Sequence, residues 1–164
     1  MKHMHKTTWS LLTLLALAAP SCSGPDFDPS PLLGSWKGEW RDAISRRRGP
    51  VELSVQRDGG ELLFELRVLG GALAGLTPPT ERFRATIDSG GAKIEPTRSA
   101  SFGEVRGKVA ADGDLLLEFE GVMGRMHHLE SSGTWSADEI EVGVVITYDD
   151  GLTRSHAAAR LTRP

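Results

Sequence analysis

The stretch that decides the fold is VELSVQRDGGELLFELRVL, residues 51–69. Apolar residues alternate with polar ones from Val51 to Val55, and Leu62, Phe64, Leu66 and Val68 alternate with residues that include Glu65 and Arg67. Such alternation predicts two half-buried β-strands, each with one apolar face. The Asp-Gly-Gly sequence at 58–60 provides residues that adopt the positive φ angles of a tight hairpin turn. The stretch therefore predicts an antiparallel β-hairpin.

The same pattern continues along the rest of the chain. Further one-sided apolar sets are Phe83, Ala85 and Ile87; Leu115, Leu117 and Phe119; and Ile140, Val142, Val144, Ile146 and Tyr148. Turn sequences rich in aspartate and glycine separate them at 88–92, 111–114 and 149–152. The sequence predicts an all-β domain, an antiparallel up-and-down meander of about eight to ten strands. Closure into a barrel removes exposed strand edges, and a two-sheet β-sandwich is the alternative.

The N-terminus has the pattern of a secretory signal peptide. Two lysines without any acidic residue precede an apolar run from Trp9 to Ala19, which is too short for a permanent membrane span. The run ends in "APSC", residues 19–22, which resembles a bacterial lipobox. This resemblance implies that residues 1–21 are a cleaved signal helix and that Cys22, the single cysteine, carries acyl chains. Ordinary secretion with a free Cys22 thiol is the alternative.

The segment after Cys22 predicts a tether. Residues 22–31 contain three prolines with serine and aspartate and lack any hydrophobic period, as expected of an extended linker. We therefore expect a lipidated tether at 22–31 and a β-barrel domain at 32–164. The expected location is the bacterial cell envelope, in the outer membrane and facing the periplasm or the surface. The acyl chains make the membrane an expected partner.

Composition and motifs argue against several functions. The formal net charge is -3, and loss of Lys2 and Lys6 with the leader makes the domain more acidic, so nucleic acid is not an expected partner. Sequence motifs of hydrolases, metalloproteases and phosphate-binding loops are absent, so we predict a non-catalytic protein without a cofactor.

One cluster of soft side chains lies at 123–128. Met123, Met126, His127 and His128 provide two thioethers and two imidazoles, which are groups that copper prefers. Adjacent histidines on a strand point to opposite faces, so the pair could hold one ion only from a loop. We favour a loop or strand edge with methionine packed inward and predict no metal site.

The start of the first strand resembles a known family. Gly34-x-Trp36 in "LLGSWKGEW", residues 32–40, is similar to the opening motif of calycins, the lipocalins and fatty-acid-binding proteins, and a second Gly-x-Trp occurs at 133–135. The resemblance implies a barrel that binds a small apolar ligand, and an arginine of the last strand stacked on Trp36. Arg160 is the first candidate for that arginine and Arg163 the second. The residues expected to line the lumen are Trp36, Trp40, Phe64, Phe83, Leu117 and Val144.

These observations favour a lipid-anchored envelope protein that binds a small apolar ligand. A filled barrel that binds an envelope protein through its loops, with a structural role, is the alternative. An enzyme is the least favoured reading, because nothing in the sequence brings His127, His128 or His156 together with a carboxylate.

Overall fold

A computed structural model describes residues 27–71, 77–122 and 125–164. Cys22 with the leader, and Met123, lie outside the described residues. The elements are a 3₁₀ helix at Ser30–Leu32 and the strands β1 Gly34–Asp42, β2 Arg48–Asp58, β3 Glu61–Val68, β4 Glu81–Asp88, β5 Gly91–Ser99, β6 Gly103–Ala110, β7 Asp114–Glu120, β8 Met126–Trp135, β9 Glu139–Tyr148 and β10 Arg154–Thr162. Within these described ranges, no helix has the length and apolar character needed to cross a bilayer.

The strands form one closed antiparallel barrel. Each strand pairs with the next in sequence, and β10 closes the ring by pairing with β1, with Gly38 opposite Leu161. The prediction of an all-β up-and-down barrel is confirmed, and the β-sandwich alternative is wrong. Closure gives every strand of the ring two neighbouring strands to pair with.

The side-chain alternation separates an apolar interior from a charged outer wall. On the wall, arginines of one strand pair with carboxylates of the neighbouring strand, as in Arg67 with Glu52 at 3.0 Å and Arg82 with Glu65 at 2.9 Å. Exposed pairs of this kind add little stability individually, but they give the outside of the barrel a water-facing, polar surface.

The two ends of the barrel differ. At one end, which we call the sealed end, Phe27 and Leu32 are buried, and the Phe27 ring meets the Trp135 ring edge to face at 6.1 Å. The described residues of the connections that follow β1, β3, β5, β7 and β9 lie at the opposite end, which we call the loop end. The folded part of the chain therefore begins by residue 27. Phe27 lies in the segment expected to be a tether and packs onto the barrel, and the expected domain bounds stay a prediction.

Glycines within the strands allow neighbouring backbones to approach closely. A Cβ atom at Gly38 of β1 would lie 1.8 Å from the Arg160 carbonyl oxygen, and one at Gly133 of β8 would lie 1.9 Å from that of Glu141. Glycines at such positions permit the sharp bending that a small closed barrel needs. These residues are therefore constrained by backbone geometry.

The substitution Gly38→Ala tests this constraint. Because the strands must move apart to accept the methyl group, we expect a loss of about 2–3 kcal/mol in the free energy of unfolding, measured by urea denaturation. Gly143→Ala is the matched control, since a Cβ there would lie 3.7 Å from the Ser132 carbonyl oxygen, an ordinary van der Waals distance. Equal stability of the two variants would contradict this account of barrel curvature.

Candidate functional site

Trp36 forms the floor of the barrel interior at the sealed end. Its side chain is completely buried, and its Nε1 donates a hydrogen bond to the Leu32 carbonyl oxygen at 2.9 Å. The Arg163 guanidinium lies 4.4 Å from the centroid of the Trp36 ring, a cation–π arrangement. This stack holds the chain before β1 and the chain after β10 against the same indole ring.

Arg163 also binds three backbone carbonyl groups. It donates to the oxygen of Ala137 at 2.7 Å, to that of Leu33 at 3.0 Å and to that of Pro31. One guanidinium therefore joins the 3₁₀ segment, the β8–β9 turn and the end of β10. An arginine suits this position because its planar fork carries several donors with fixed directions.

The expectation that Arg160 stacks on Trp36 is wrong. Arg160 lies on the outer wall, where it donates to Glu139 at 2.5 Å and thereby lowers the pKa of that carboxyl group. Alternation explains the difference. Leu161 has the inward phase of β10 and Arg160 the outward phase, whereas Arg163 lies just beyond the end of the strand.

Several inward-facing side chains in the middle of the barrel are only partly buried. By strand register, Leu53, Leu66, Leu117, Val142 and Val144 face inward, yet each is half-buried. The side of the barrel formed by β8 and β10 contributes small inward-facing residues, namely Ser131, Gly133, Ala157 and Ala159. These small residues are the register partners of Val142 and Val144 on β9, which lies between β8 and β10.

Aromatic side chains line the opposite side of the interior. Phe64 and Phe83 are cross-strand partners on β3 and β4, and the Phe83 ring lies 6.3 Å from that of Phe119. Trp40 is buried nearer the loop end, and its Nε1 donates to the Leu69 carbonyl oxygen at 2.7 Å. The six residues expected to line a lumen thus all have the inward phase, with Trp36 as the floor. Their contact with a ligand stays a prediction.

A buried carboxylate, which the sequence reading missed, lies on the interior face near the loop end. Glu81 pairs in register with the inward-facing Leu66 and is 4% exposed. Its Oε2 accepts a hydrogen bond from the Ser99 hydroxyl at 2.7 Å, and its Oε1 accepts one from the Ser101 backbone amide at 3.1 Å. The sequence did indicate this position, because Glu81 lies two residues before Phe83 on the same strand and therefore shares its inward phase.

Glu81 spans a seam in the barrel wall. Among the described residues, β4 and β5 pair only along Thr86–Asp88 and Gly91–Lys93, at the sealed-end side of the seam. Towards the loop end, β5 is displaced by a bulge between Ile94 and Thr97. The Glu81 hydrogen bonds to Ser99 and Ser101 therefore connect the two strands where their backbones do not pair.

A second polar contact ties two turns together at the loop end. Asp42 accepts hydrogen bonds from the amides of Ile44 and Ser45, and the Ser155 hydroxyl donates to it at 3.1 Å. Burial alone would raise the pKa of Asp42, but these hydrogen bonds outweigh it and lower that pKa. The ionised Asp42 thus fixes the β1–β2 turn beside the start of β10.

The residues of the soft-ligand cluster are separated. Met126 is buried, His127 is exposed, and the His128 Nδ1 lies 2.8 Å from the Glu120 carboxylate on the outer wall. A bulge between Met126 and His128 leaves His127 unpaired in the β8–β9 register. In the part of the chain that the structure describes, no three histidine, cysteine or acidic side chains form a metal-binding group.

An open groove lies on the outer wall over β1, β10, β9 and β8, where Gly143 and Ala158 leave space. Its charged rim is internally paired, since Arg41 binds Glu39 and Arg160 binds Glu139 and Glu141. The groove therefore has few free polar groups for recognition, and the barrel interior is the better candidate site.

Solved structures with the same barrel are similar to this chain. Rv2717c from Mycobacterium tuberculosis has a TM-score of 0.58 at 19% identity, over 82% of this chain and 94% of that protein. A protein of unknown function from the DUF3598 family of Nostoc punctiforme has a TM-score of 0.60 at 19% identity, and the match covers 90% of this chain but 53% of that protein. The S-type phycobiliprotein lyase CPES from Guillardia theta has a TM-score of 0.52 at 9% identity, over 82% and 89% of the two chains.

These likenesses establish the fold alone. The closed ten-stranded barrel agrees with the barrel fold that the resemblance at Gly34-x-Trp36 implied. No protein-family model matches the chain, and no curated protein matches it significantly. The function of this protein must therefore be inferred from its own residues.

The role of Arg163 is tested by removing its side chain. Arg163→Ala loses the stack on Trp36 and the bonds to three carbonyl groups, and we expect a loss of about 1–2 kcal/mol in the free energy of unfolding. Arg160→Ala is the matched control, because an exposed ion pair contributes little. Urea denaturation followed by tryptophan fluorescence measures both. A larger effect of Arg160→Ala would contradict the assignment of the stack to Arg163.

Proposed function

We propose that this protein is a lipid-anchored, exported barrel of the bacterial envelope that binds a small apolar ligand in its interior and performs no catalysis. The observation that carries the ligand-binding part is the row of inward-facing but half-buried side chains, Leu53, Leu66, Leu117, Val142 and Val144. Ligand sites are typically lined by apolar side chains with a few well-placed polar groups, and apolar side chains together with the buried Glu81 carboxylate line this interior.

Sequence and fold together support the anchor. The lipobox-like "APSC" places Cys22 five residues before Phe27, which packs at the sealed end. Five extended residues reach about 16–18 Å, so an acylated Cys22 would hold the sealed end close to the membrane. The loop end would then face away from the bilayer, towards the compartment from which a ligand arrives.

The positions of the histidines support a non-catalytic role. His128 and His156 alternate with inward-facing neighbours and so lie on the outer wall, and His127 is exposed. None of these three imidazoles is placed to act on a ligand inside the barrel. A structural neighbour is named a phycobiliprotein lyase, so the barrel alone does not decide between binding and catalysis.

A second candidate function, binding of an envelope protein, is favoured by two exposed apolar residues. Ile44 is 66% exposed and Leu152 is 89% exposed, on turns joined by the Asp42–Ser155 hydrogen bond. Exposed apolar side chains on adjacent loops are common in protein-binding surfaces.

A pair of neighbouring substitutions distinguishes these functions. Val144→Trp fills the interior, whereas Val145→Trp adds the same side chain to the outer wall. The probe is the neutral fluorophore N-phenyl-1-naphthylamine, whose fluorescence increases when it binds an apolar site. We expect this increase with the wild type and with Val145→Trp. With Val144→Trp we expect at least about 90% of the increase to be lost, which corresponds to a tenfold loss of bound probe. Circular dichroism verifies folding.

Unchanged binding of the probe by folded Val144→Trp would contradict a ligand site in the interior. In that case the loop-end surface becomes the better candidate. The double variant Ile44→Ser/Leu152→Ser would then abolish binding of the envelope partner, while Val144→Trp would preserve it.

The anchor is tested separately in a bacterial host. We expect the full-length protein to resist extraction of membranes with high salt and to dissolve in detergent, with a mass equal to residues 22–164 plus acyl and glyceryl groups. Cys22→Ala removes the attachment atom and is expected in the salt-soluble exported fraction. Wild-type protein with an unmodified mass in that same fraction would contradict lipidation.

A further inference from the structure

The polar side chains buried within the described part of the chain are all uncharged or acidic. They are one carboxylate and three hydroxyls, those of Glu81, Ser101, Ser131 and Ser155. No lysine or arginine among the described residues is buried with them. The interior therefore presents a carboxylate without a neighbouring buried cation, and this combination determines which head group a ligand could have.

The Glu81 carboxylate has hydrogen-bonding capacity to spare. Each of its oxygens accepts one hydrogen bond, from the Ser99 hydroxyl and from the Ser101 amide. A carboxylate oxygen has two acceptor positions, so both oxygens can accept a further donor. Glu81 also lies where β4 and β5 do not pair, so no ladder hydrogen bonds cover it from that side.

The Ser101 hydroxyl is an unsatisfied group beside this carboxylate. Ser101 is 1% exposed, and its Oγ is the buried side-chain oxygen or nitrogen that has no hydrogen-bond partner among the described residues. Buried polar groups in native proteins nearly always have a partner. The Ser101 hydroxyl, on the residue whose amide binds Glu81, therefore has hydrogen-bonding positions left for a further partner.

We propose that Glu81 and Ser101 form the polar end of the ligand site and bind a single-chain amphiphile whose head group donates hydrogen bonds, an amine or an alcohol. This inference rests on the proposed ligand-binding function. The alkyl chain extends past Leu66, Leu117 and Val144 towards the floor at Trp36. A carboxylate head group is rejected, because it would lie beside the Glu81 charge without a buried cation to compensate.

Matched ligands that share one alkyl chain test the proposal. Dodecylamine, dodecanol and dodecanoate are titrated below their critical micelle concentrations against the full-length protein loaded with N-phenyl-1-naphthylamine. We expect dodecylamine to displace the probe at a concentration at least about tenfold lower than dodecanoate, a difference that corresponds to one factor of ten in Kd. Dodecanol is expected to bind more tightly than dodecanoate as well.

Two variants assign this preference to the named groups. Glu81→Gln keeps the side-chain shape and an acceptor for the Ser101 amide but removes the charge. The affinity for dodecylamine should then exceed that for dodecanoate by about twofold or less. Ser101→Ala should weaken dodecanol binding without lowering the melting temperature of the ligand-free protein, because it removes an unsatisfied hydroxyl. Glu65→Gln, on the outer wall, is the control and should keep the order of ligand affinities found for the wild type.

The outcomes separate this inference from the function on which it rests. If all three ligands displace the probe equally, or dodecanoate does so best, the barrel binds ligands but the assignment of Glu81 and Ser101 is wrong. If the probe does not bind the wild type, both the ligand-binding function and this inference are wrong. The order in which the three ligands displace the probe from the wild type tests the inference even if Glu81→Gln fails to fold.

Discussion

The structure depends on closure of the barrel between its first and last strands. β1 can pair with β10 only because Gly38 lets its backbone come against the Arg160 carbonyl group, where a side chain has no room. Trp36 and Arg163 hold this closure at the sealed end, with the indole below the guanidinium. A closed ring removes the strand edges and separates an inner face from an outer wall. The interior, the floor and the loop end all follow from that closure.

Closure creates an interior whose chemistry is unequal around the ring. Phenylalanines line the side of β3, β4 and β7, small residues line the side of β8 and β10, and Glu81 lies at the incompletely paired seam between β4 and β5. Glu81 thus has two roles. Its hydrogen bonds hold the seam together, and its remaining acceptor positions give the interior a preference for donor head groups. The outer wall lacks such a free group in its groove, where the charges pair with one another.

The sequence predicted most of the fold because the period of two is a local property that the closed sheet preserves. The inward phase of Phe64, Phe83, Leu117 and Val144 follows directly from it. The site was predicted less well. Arg163 lies just beyond β10, so its place over Trp36 depends on how the last strand meets the first, which alternation does not reveal. Glu81 was overlooked because a charge at the start of a strand normally faces water, and only the later approach of the β5–β6 turn buries it. The lipid anchor remains a prediction from sequence, since Cys22 lies outside the described residues.

The most direct test of a ligand-holding barrel is the mass of the full-length protein purified in mild detergent from its bacterial host, measured first under native and then under denaturing conditions. We expect a native mass that exceeds the denatured mass by one small molecule of a few hundred daltons, a size that fits typical ligand cavities. Identical masses under both conditions, from protein never exposed to denaturant or organic solvent, would contradict an interior that holds a ligand and would favour a filled barrel acting through its loops.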